Sequence, residues 1–173
     1  MVELVGEQGQ DREEIWMLHV DGSSHTNNGG ARIFLQGPGG IEIEIAVKLN
    51  FPATNNDTEY EALIQGLRAA LDRGVKHLDA YTDLQLVAMQ IEGLYETREW
   101  SMGQYLKKVK EMIQKFDKCQ VHHILREENG RADALSKFGA LVSGVKERKV
   151  AVVIKETPTI EEETINVVEE EGS

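Results

Sequence analysis

The sequence has little cysteine, little proline and no long apolar run. Its 173 residues include three prolines and a single cysteine, Cys119, which cannot form an internal disulfide or a cysteine cluster for zinc. No segment approaches the roughly 18 consecutive apolar residues that a membrane helix needs, and the acidic first 15 residues are unlike a secretory signal. We therefore expect an intracellular protein, in the cytoplasm or the nucleus, with no membrane association.

The negative charge is large but unevenly distributed. The net charge is −11, of which residues 155–173 contribute −6 and residues 16–141 only −3. Nucleic acid is thus not excluded as a ligand. With 40% hydrophobic and 28% charged residues, the composition is globular. We predict a polar linker at 1–14, one domain at 15–142, and an acidic C-terminal connector at 143–173 that is mostly disordered.

Hydrophobic periodicity indicates a mixed α/β fold. Two apolar stretches within 15–36 are separated by turn-forming residues, and residues 41–49 alternate strictly between apolar and other side chains, so three antiparallel strands are expected. A helical period then runs to Gly74. Further patterns indicate a strand at 77–82, helices at 84–93 and about 101–117, a strand at 119–124, and a helix at about 131–142. This order predicts a mixed sheet flanked by helices.

Four carboxylates lie at boundaries of these elements. Asp21 ends the first strand and Asp83 the fourth, while Glu59 and Asp133 fall in the first turns of the first and last helices. Taken singly, such residues more commonly serve turns, caps and helix dipoles. Together they would meet at one edge of the sheet, where four negative charges require cations. Oxygen ligands without His or Cys indicate two Mg²⁺ or Mn²⁺ ions about 4 Å apart, an arrangement suited to phosphodiesters.

The segments that carry these carboxylates resemble a known family. DGS at 21–23, TNNDTEYEAL at 54–63, TDLQLV at 82–87 and REENGRADALSK at 126–137 are similar to the type 1 ribonuclease H domain, in the form found in polyproteins of plant gypsy-type long-terminal-repeat retrotransposons. The resemblance covers about residues 15–141. It implies a ribonuclease H-like fold with a five-stranded mixed sheet in the order 3-2-1-4-5, the first three strands being antiparallel.

The resemblance also implies an activity and a metal site. Asp21, Glu59, Asp83 and Asp133 would be the catalytic residues and would hold two Mg²⁺ ions, for which Mn²⁺ can substitute. Asp21 would bridge both ions, and Asp133 would hold the one that activates water. The enzyme would cut the RNA strand of an RNA–DNA hybrid endonucleolytically, leaving a 5′-phosphate and a 3′-hydroxyl. Glu61 is the competing candidate on the first helix, but the spacing of the family motif after TNN favours Glu59.

Nucleic-acid contacts are implied as well, by Gly22, Ser23, Thr54, Asn55, Asn56 and Gln85. Asn55 and Asn56 have two interpretations, as helix caps or as contacts to the minor groove and its 2′-hydroxyls. The chain departs from the family in three respects. It lacks a long loop with a mobile His before the last helix, since His122 and His123 lie in a strand pattern. It lacks a basic protrusion, although Lys107, Lys108, Lys110 and Lys115 could meet phosphates. It has Leu84 where Ser is usual.

The polar ends fit connectors to a reverse transcriptase before the domain and an integrase after it. Two other functions remain to be weighed. An integrase-like strand transferase would lack a carboxylate at the Glu59 position and would have Glu in place of Asp133, so the sequence disfavours it. A catalytically silent module of the same fold, which binds nucleic acid or protein, stays open.

Overall fold

The fold is built on one six-stranded sheet. The structure is a computed structural model, and it describes residues 14–24, 28–93, 100–125 and 147–161. The strands are β1 (Ile15–Ser24), β2 (Asn28–Gly37), β3 (Ile41–Pro52), β4 (His77–Thr82), β5 (Lys118–His123) and β6 (Glu147–Lys155). The described helices are α1 (Asn55–Asp72), α2 (Gln85–Glu92) and α3 (Trp100–Ile113).

The first three strands form the antiparallel half of the sheet, as predicted. β1 pairs with β2 and β2 with β3, with Val20 opposite Ile33 and Ile33 opposite Ile45. All three side chains are buried. The alternation seen in the sequence is therefore the alternation between a face covered by helices and the opposite face.

The parallel half of the sheet brings the strand ends together. β4 pairs with β1 and β5 pairs with β4, both in parallel, with α1 in the connection to β4 and α2 and α3 in the connection to β5. The strand order is β5-β4-β1-β2-β3-β6. The predicted order 3-2-1-4-5 is confirmed within it, but the number of strands is six and not five.

The additional strand is β6, which runs parallel to β3 with Leu49 opposite Lys155. It lies in the segment that we expected to be mostly disordered. Its VAVVI run packs Val153 against the core, while Val150 and Val152 are exposed. A short apolar strand was obscured by the acidic composition of the segment around it. After β6 the chain continues to Thr159, which is fully buried.

Helix α1 packs closely on the sheet because two glycines allow it. A Cβ atom on Gly66 would lie 2.8 Å from both terminal methyl carbons of Leu18 on β1. At the start of the helix, a Cβ on Gly29 of β2 would lie 2.3 Å from the Thr58 hydroxyl oxygen. Side chains at these points would push α1 away from the sheet. The position of α1, which carries Glu59, thus depends on glycine at positions 29 and 66.

The helix predicted at about 131–142, with Asp133, lies outside the described residues. In the ranges that the structure describes, no helix combines the length and the apolar character needed to cross a membrane.

Candidate active site

Asp21 and Asp83 both lie just beyond the last residue pair between β1 and β4. Asp21 does not end its strand as predicted, because β1 continues to Ser24 along β2 and Asp21 pairs with Arg32, whereas Asp83 directly follows β4. The last residue pair between parallel strands β1 and β4 is Val20 with Thr82, and the two aspartates directly follow this pair. Asp21 is exposed, and Asp83 is half-buried. The register therefore brings these two sequence-predicted residues to one edge, as expected from the rule that ligand sites form at the carboxyl ends of parallel strands.

Glu59 reaches the same edge from α1. Its side chain is fully buried, and the hydroxyl of Thr82, the residue before Asp83, donates a hydrogen bond to Glu59 Oε2. The Thr82 oxygen in turn accepts the backbone N–H of Leu84 at 3.1 Å. Because a hydroxyl has one proton, accepting from Leu84 leaves that proton for Glu59. The bond fixes Glu59 beside the end of β4.

Helix α1 starts one to three residues earlier than the capping residues Asn55, Asn56 and Asp57 predict. Its N-cap is Thr54, whose hydroxyl accepts the N–H of Asp57 at 3.1 Å. Asn55 and Asn56 are thus the first helical residues, and their interpretation as caps is wrong. Glu59 consequently lies in the second turn, not the first. Asn55 is exposed and Asn56 half-buried, so both remain candidates for contact with a ligand.

Glu61 has a structural environment of its own. It is fully buried, and its carboxylate accepts three hydrogen bonds: from the Tyr105 hydroxyl, from the Thr159 N–H at 2.8 Å and from the Thr159 hydroxyl at 2.6 Å. These donors use both carboxylate oxygens. The Glu61 carboxylate is therefore engaged by donors of the protein itself, which favours Glu59 as the residue of α1 that faces the site.

Tyr60 and Tyr105 fill the space beside these two glutamates. The rings stack with centroids 5.7 Å apart, and the Tyr60 hydroxyl donates to Gln90 of α2 at 2.7 Å. Burial raises the pKa of Tyr60, and burial followed by the charge of Glu61 raises that of Tyr105. Both phenols therefore stay protonated as donors at neutral pH.

The other residues predicted to contact nucleic acid lie on β1 and at the start of α2. Gly22 and Ser23 continue β1 opposite Ala31 and Gly30, and Gln85 is the exposed first residue of α2. Leu84, at the N-cap of that helix, makes no side-chain capping bond. Among the described residues, no group of three or more His, Cys, Asp or Glu side chains has the spacing of a preformed metal site. Asp133 lies outside the described residues.

The two histidines singled out in the sequence lie in β5, where His123 pairs with Thr82 at the same end of the sheet as Asp83, and the four lysines lie on or just after α3. His122 lies in β5, 3.4 Å from Asp79 and stacked on Tyr81, while His123 is exposed at the end of the strand. On or just after α3, three of the four lysines are exposed and one is half-buried; they are Lys107, Lys110, Lys115 and Lys108. The lysines thus form a partly solvated face, and the contact with phosphates stays a prediction.

Thr82 and Thr159 are the residues that sequence analysis did not identify. Thr82 had a signal, because a hydroxyl residue directly precedes Asp83 at the predicted end of a strand. Thr159 had none, since it is separated from Glu61 by 98 residues in an acidic segment.

Comparison with known proteins establishes the family. The family model described as reverse transcriptase-like matches residues 19–139, which contain every carboxylate discussed above. The chain belongs to this family. A similar protein is ribonuclease HI of Halobacterium salinarum, 36% identical over 121 residues. That match spans 68% of this chain and 60% of the relative, so the chain spans about three fifths of the relative's length.

Solved structures extend the comparison to the fold. The crystal structure of RNase H1 from Halobacterium salinarum NRC-1 matches with a TM-score of 0.63 and 31% identity, covering 75% of this chain and 99% of that one. LC11-RNase H1, isolated from compost by a metagenomic approach, matches with a TM-score of 0.60 and 26% identity in its complex with an RNA/DNA hybrid. This second match covers 69% of this chain and 92% of that one. The family member described here therefore has the ribonuclease H fold.

Proposed function

We propose that this protein is an RNA–DNA hybrid ribonuclease that hydrolyses the RNA strand endonucleolytically and leaves a 5′-phosphate and a 3′-hydroxyl. The observation that carries the proposal is that Asp21 and Asp83 directly follow the last residue pair between the parallel strands β1 and β4, while Glu59 is bonded to Thr82, the residue before Asp83. The relative named ribonuclease HI, and LC11-RNase H1 solved with an RNA/DNA hybrid, support this function.

The donor set fits a hard divalent cation. Asp21, Glu59 and Asp83 offer only carboxylate oxygens, the ligands that Mg²⁺ and Mn²⁺ prefer. We assign these three residues and Asp133 as the groups that would hold two Mg²⁺ ions, for which Mn²⁺ could substitute. Such ions, when bound, generate a nucleophile from water and neutralise charge on the phosphodiester.

The chain's own contribution is to position these groups. Thr82 fixes one Glu59 oxygen by donating its only hydroxyl proton, and the Leu84 N–H fixes Thr82. The shared strand register fixes the backbones of Asp21 and Asp83 relative to each other. Side chains held in this way need not reorganise when substrate binds, and preorganisation is a main source of catalysis.

Contacts to the hybrid are assigned to residues around this edge. We propose that Asn55 and Asn56 read the minor groove, with Thr54, Gly22, Ser23 and Gln85 nearby on the same side. The finding that Thr54 caps α1 supports this, because it leaves the two asparagines without a capping role. Contacts to 2′-hydroxyls would distinguish RNA from DNA.

The wider context belongs to the same proposal. The description of the family as reverse transcriptase-like fits an origin in a plant gypsy-type retrotransposon polyprotein, with a reverse transcriptase and an integrase as neighbours. The single cysteine fits an intracellular location, in the cytoplasm or the nucleus. The domain would span 15–142, with 1–14 and 143–173 as connectors, although β6 and Thr159 fold onto the domain.

Cleavage of end-labelled nucleic acids tests the proposed activity. The protein should cut the RNA strand of a hybrid in Mg²⁺ and leave duplex RNA and duplex DNA of the same sequence intact. Products that accept a 3′ adapter without phosphatase treatment would establish the 3′-hydroxyl. Binding of the hybrid without cleavage in either Mg²⁺ or Mn²⁺ would instead indicate the catalytically silent module.

A further inference from the structure

Helix α1 is held on two sides at the level of the proposed site. Glu59 accepts a hydrogen bond from Thr82 of β4, and Glu61 accepts two from Thr159 beyond β6. Successive helical residues are rotated by about 100°, so the two glutamates project from α1 about 200° apart. Bonds on opposite sides of a helix restrain its rotation about its own axis.

The bond between Glu61 and Thr159 is well formed. The Thr159 N–H lies 2.8 Å from Glu61 Oε2, and its hydroxyl lies 2.6 Å from Oε1. Both residues are fully buried, so water does not compete for these bonds. One residue thus engages both oxygens of the carboxylate and fixes its orientation.

Thr159 is itself attached to the sheet independently of α1. β6 pairs with β3 along its length, and beyond β6 the Asn50 amide donates to Glu156 at 3.0 Å. Ile160, the next residue after Thr159, packs against the core. The match to the family model ends at residue 139, so this restraint on α1 comes from a part of the chain outside that match.

We infer that Thr159 is a positioning residue for Glu59, which acts by holding Glu61 and thereby the rotation of α1. A rotation of 10° would move a side-chain end about 1 Å, given a helix radius of 5–6 Å with side chains. Metal ligands must be held to within about 0.5 Å. Loss of the Thr159 hydroxyl would therefore loosen the metal site while every carboxylate remains. This inference rests on the proposed function.

The test compares three variants by Mn²⁺ titration in electron paramagnetic resonance. Thr159→Val removes the hydroxyl and Thr159→Ser keeps it. Asn50→Ala removes one bond to Glu156 but leaves the pairing of β6 with β3 and both bonds from Thr159 to Glu61 in place, so it controls for a general loss of stability. We expect Thr159→Val to bind Mn²⁺ about tenfold more weakly than the parent, as for residues that orient metal ligands. Thr159→Ser and Asn50→Ala should bind it as the parent does.

A second measurement needs no metal and separates this inference from the proposed function. In EDTA, amide hydrogen exchange of residues 58–62 should be several-fold faster in Thr159→Val than in Asn50→Ala. If the parent binds no Mn²⁺, the proposed metal site is wrong, and equal exchange in the two variants would overturn the positioning role.

Parent-like Mn²⁺ affinity in Thr159→Val, with only a lower melting temperature, would also overturn the positioning role, because Thr159 would then serve stability alone. If Thr159→Val does not fold, Thr159→Ala leaves space for a water at the hydroxyl position, and the same two results apply to it.

Discussion

Glu59 and Glu61 lie two residues apart on one helix, both fully buried, and accept hydrogen bonds from opposite parts of the molecule. Glu59 accepts from Thr82 at the end of β4, and Glu61 accepts from Thr159 at the end of the described chain. Two carboxylates that the sequence presents as competitors for one role therefore have separate roles. One faces the proposed site and the other fastens the helix.

This division of roles predicts that Glu61→Gln mainly lowers stability, whereas Glu59→Gln mainly abolishes activity. Glu61→Gln replaces a charged acceptor of three hydrogen bonds and should cost about 2 kcal/mol of unfolding free energy, which is roughly 4–8 °C in melting temperature. Glu59→Gln keeps an acceptor for Thr82 and should cost less than about 1 kcal/mol, yet it should abolish hybrid cleavage. Thermal unfolding and cleavage assays on both variants measure this. Equal loss of stability in the two variants would contradict the assignment.

Divalent metal should stabilise the protein through the proposed ligands. An ion that binds only the folded state raises the melting temperature with concentration. We expect such a rise with Mg²⁺, and its loss in Asp21→Asn and in Asp83→Asn. Asp72→Asn, at the other end of α1, is the control and should respond as the parent does. A rise that persists in the first two variants would locate Mg²⁺ elsewhere.

The fold was largely predictable where the sequence has local periodicity. The alternation at residues 41–49 predicted β3, and the helical period after Thr58 predicted α1. The start of α1 was misplaced because Thr54, Asn55, Asn56 and Asp57 are all good capping residues. Only the hydrogen bond from the Asp57 N–H identifies the cap as Thr54.

The parts that could not be predicted depend on contacts between distant residues. Strand positions placed Asp21 and Asp83 at one edge, but no local pattern indicates that Thr82 bonds to Glu59 or that Thr159 bonds to Glu61. Strand β6 was missed for a related reason. It is a parallel edge strand whose partner, β3, lies about 100 residues earlier.

The thiol of Cys119 should be unreactive in the folded protein although it lines an open cleft of about 480 Å³ between α2, α3 and β5. Burial, and secondarily the charge of Asp79, raises its pKa from 9.0 to about 12. At pH 8 the thiolate fraction is then roughly a thousandfold lower than in the unfolded chain. Iodoacetamide should modify the native protein far more slowly than the denatured one. Equal rates would contradict the raised pKa.

The same thiol gives a pH dependence of stability. Its pKa is higher in the folded protein than in the unfolded chain, so the folded state loses stability as the pH rises above about 9, and the loss is complete above about 12. Cys119→Ala should lose part of this alkaline destabilisation. Denaturant titrations at pH 8 and pH 10.5 measure the difference, and an identical change in parent and variant would contradict the prediction.

The acidic C-terminal end should weaken hybrid binding. Residues 162–173 carry a net charge of −5, and their deletion leaves Thr159 and β6 in place. The truncated protein should bind an RNA–DNA hybrid more tightly than the parent at low salt, and the difference should shrink as salt rises. Fluorescence anisotropy in EDTA measures this without cleavage. A salt-independent difference would exclude the electrostatic explanation.

The most direct measurement is hybrid cleavage by the parent and by Asp21→Asn, with circular dichroism used to verify that both are folded. Asp21 is assigned to both metal ions, so its loss disturbs the whole site while its exposed position spares the fold. We expect the parent to cut the RNA strand in Mg²⁺ and to stop in EDTA, and we expect no cleavage by Asp21→Asn. Undiminished cleavage by the folded variant would contradict the assignment of this edge as the active site.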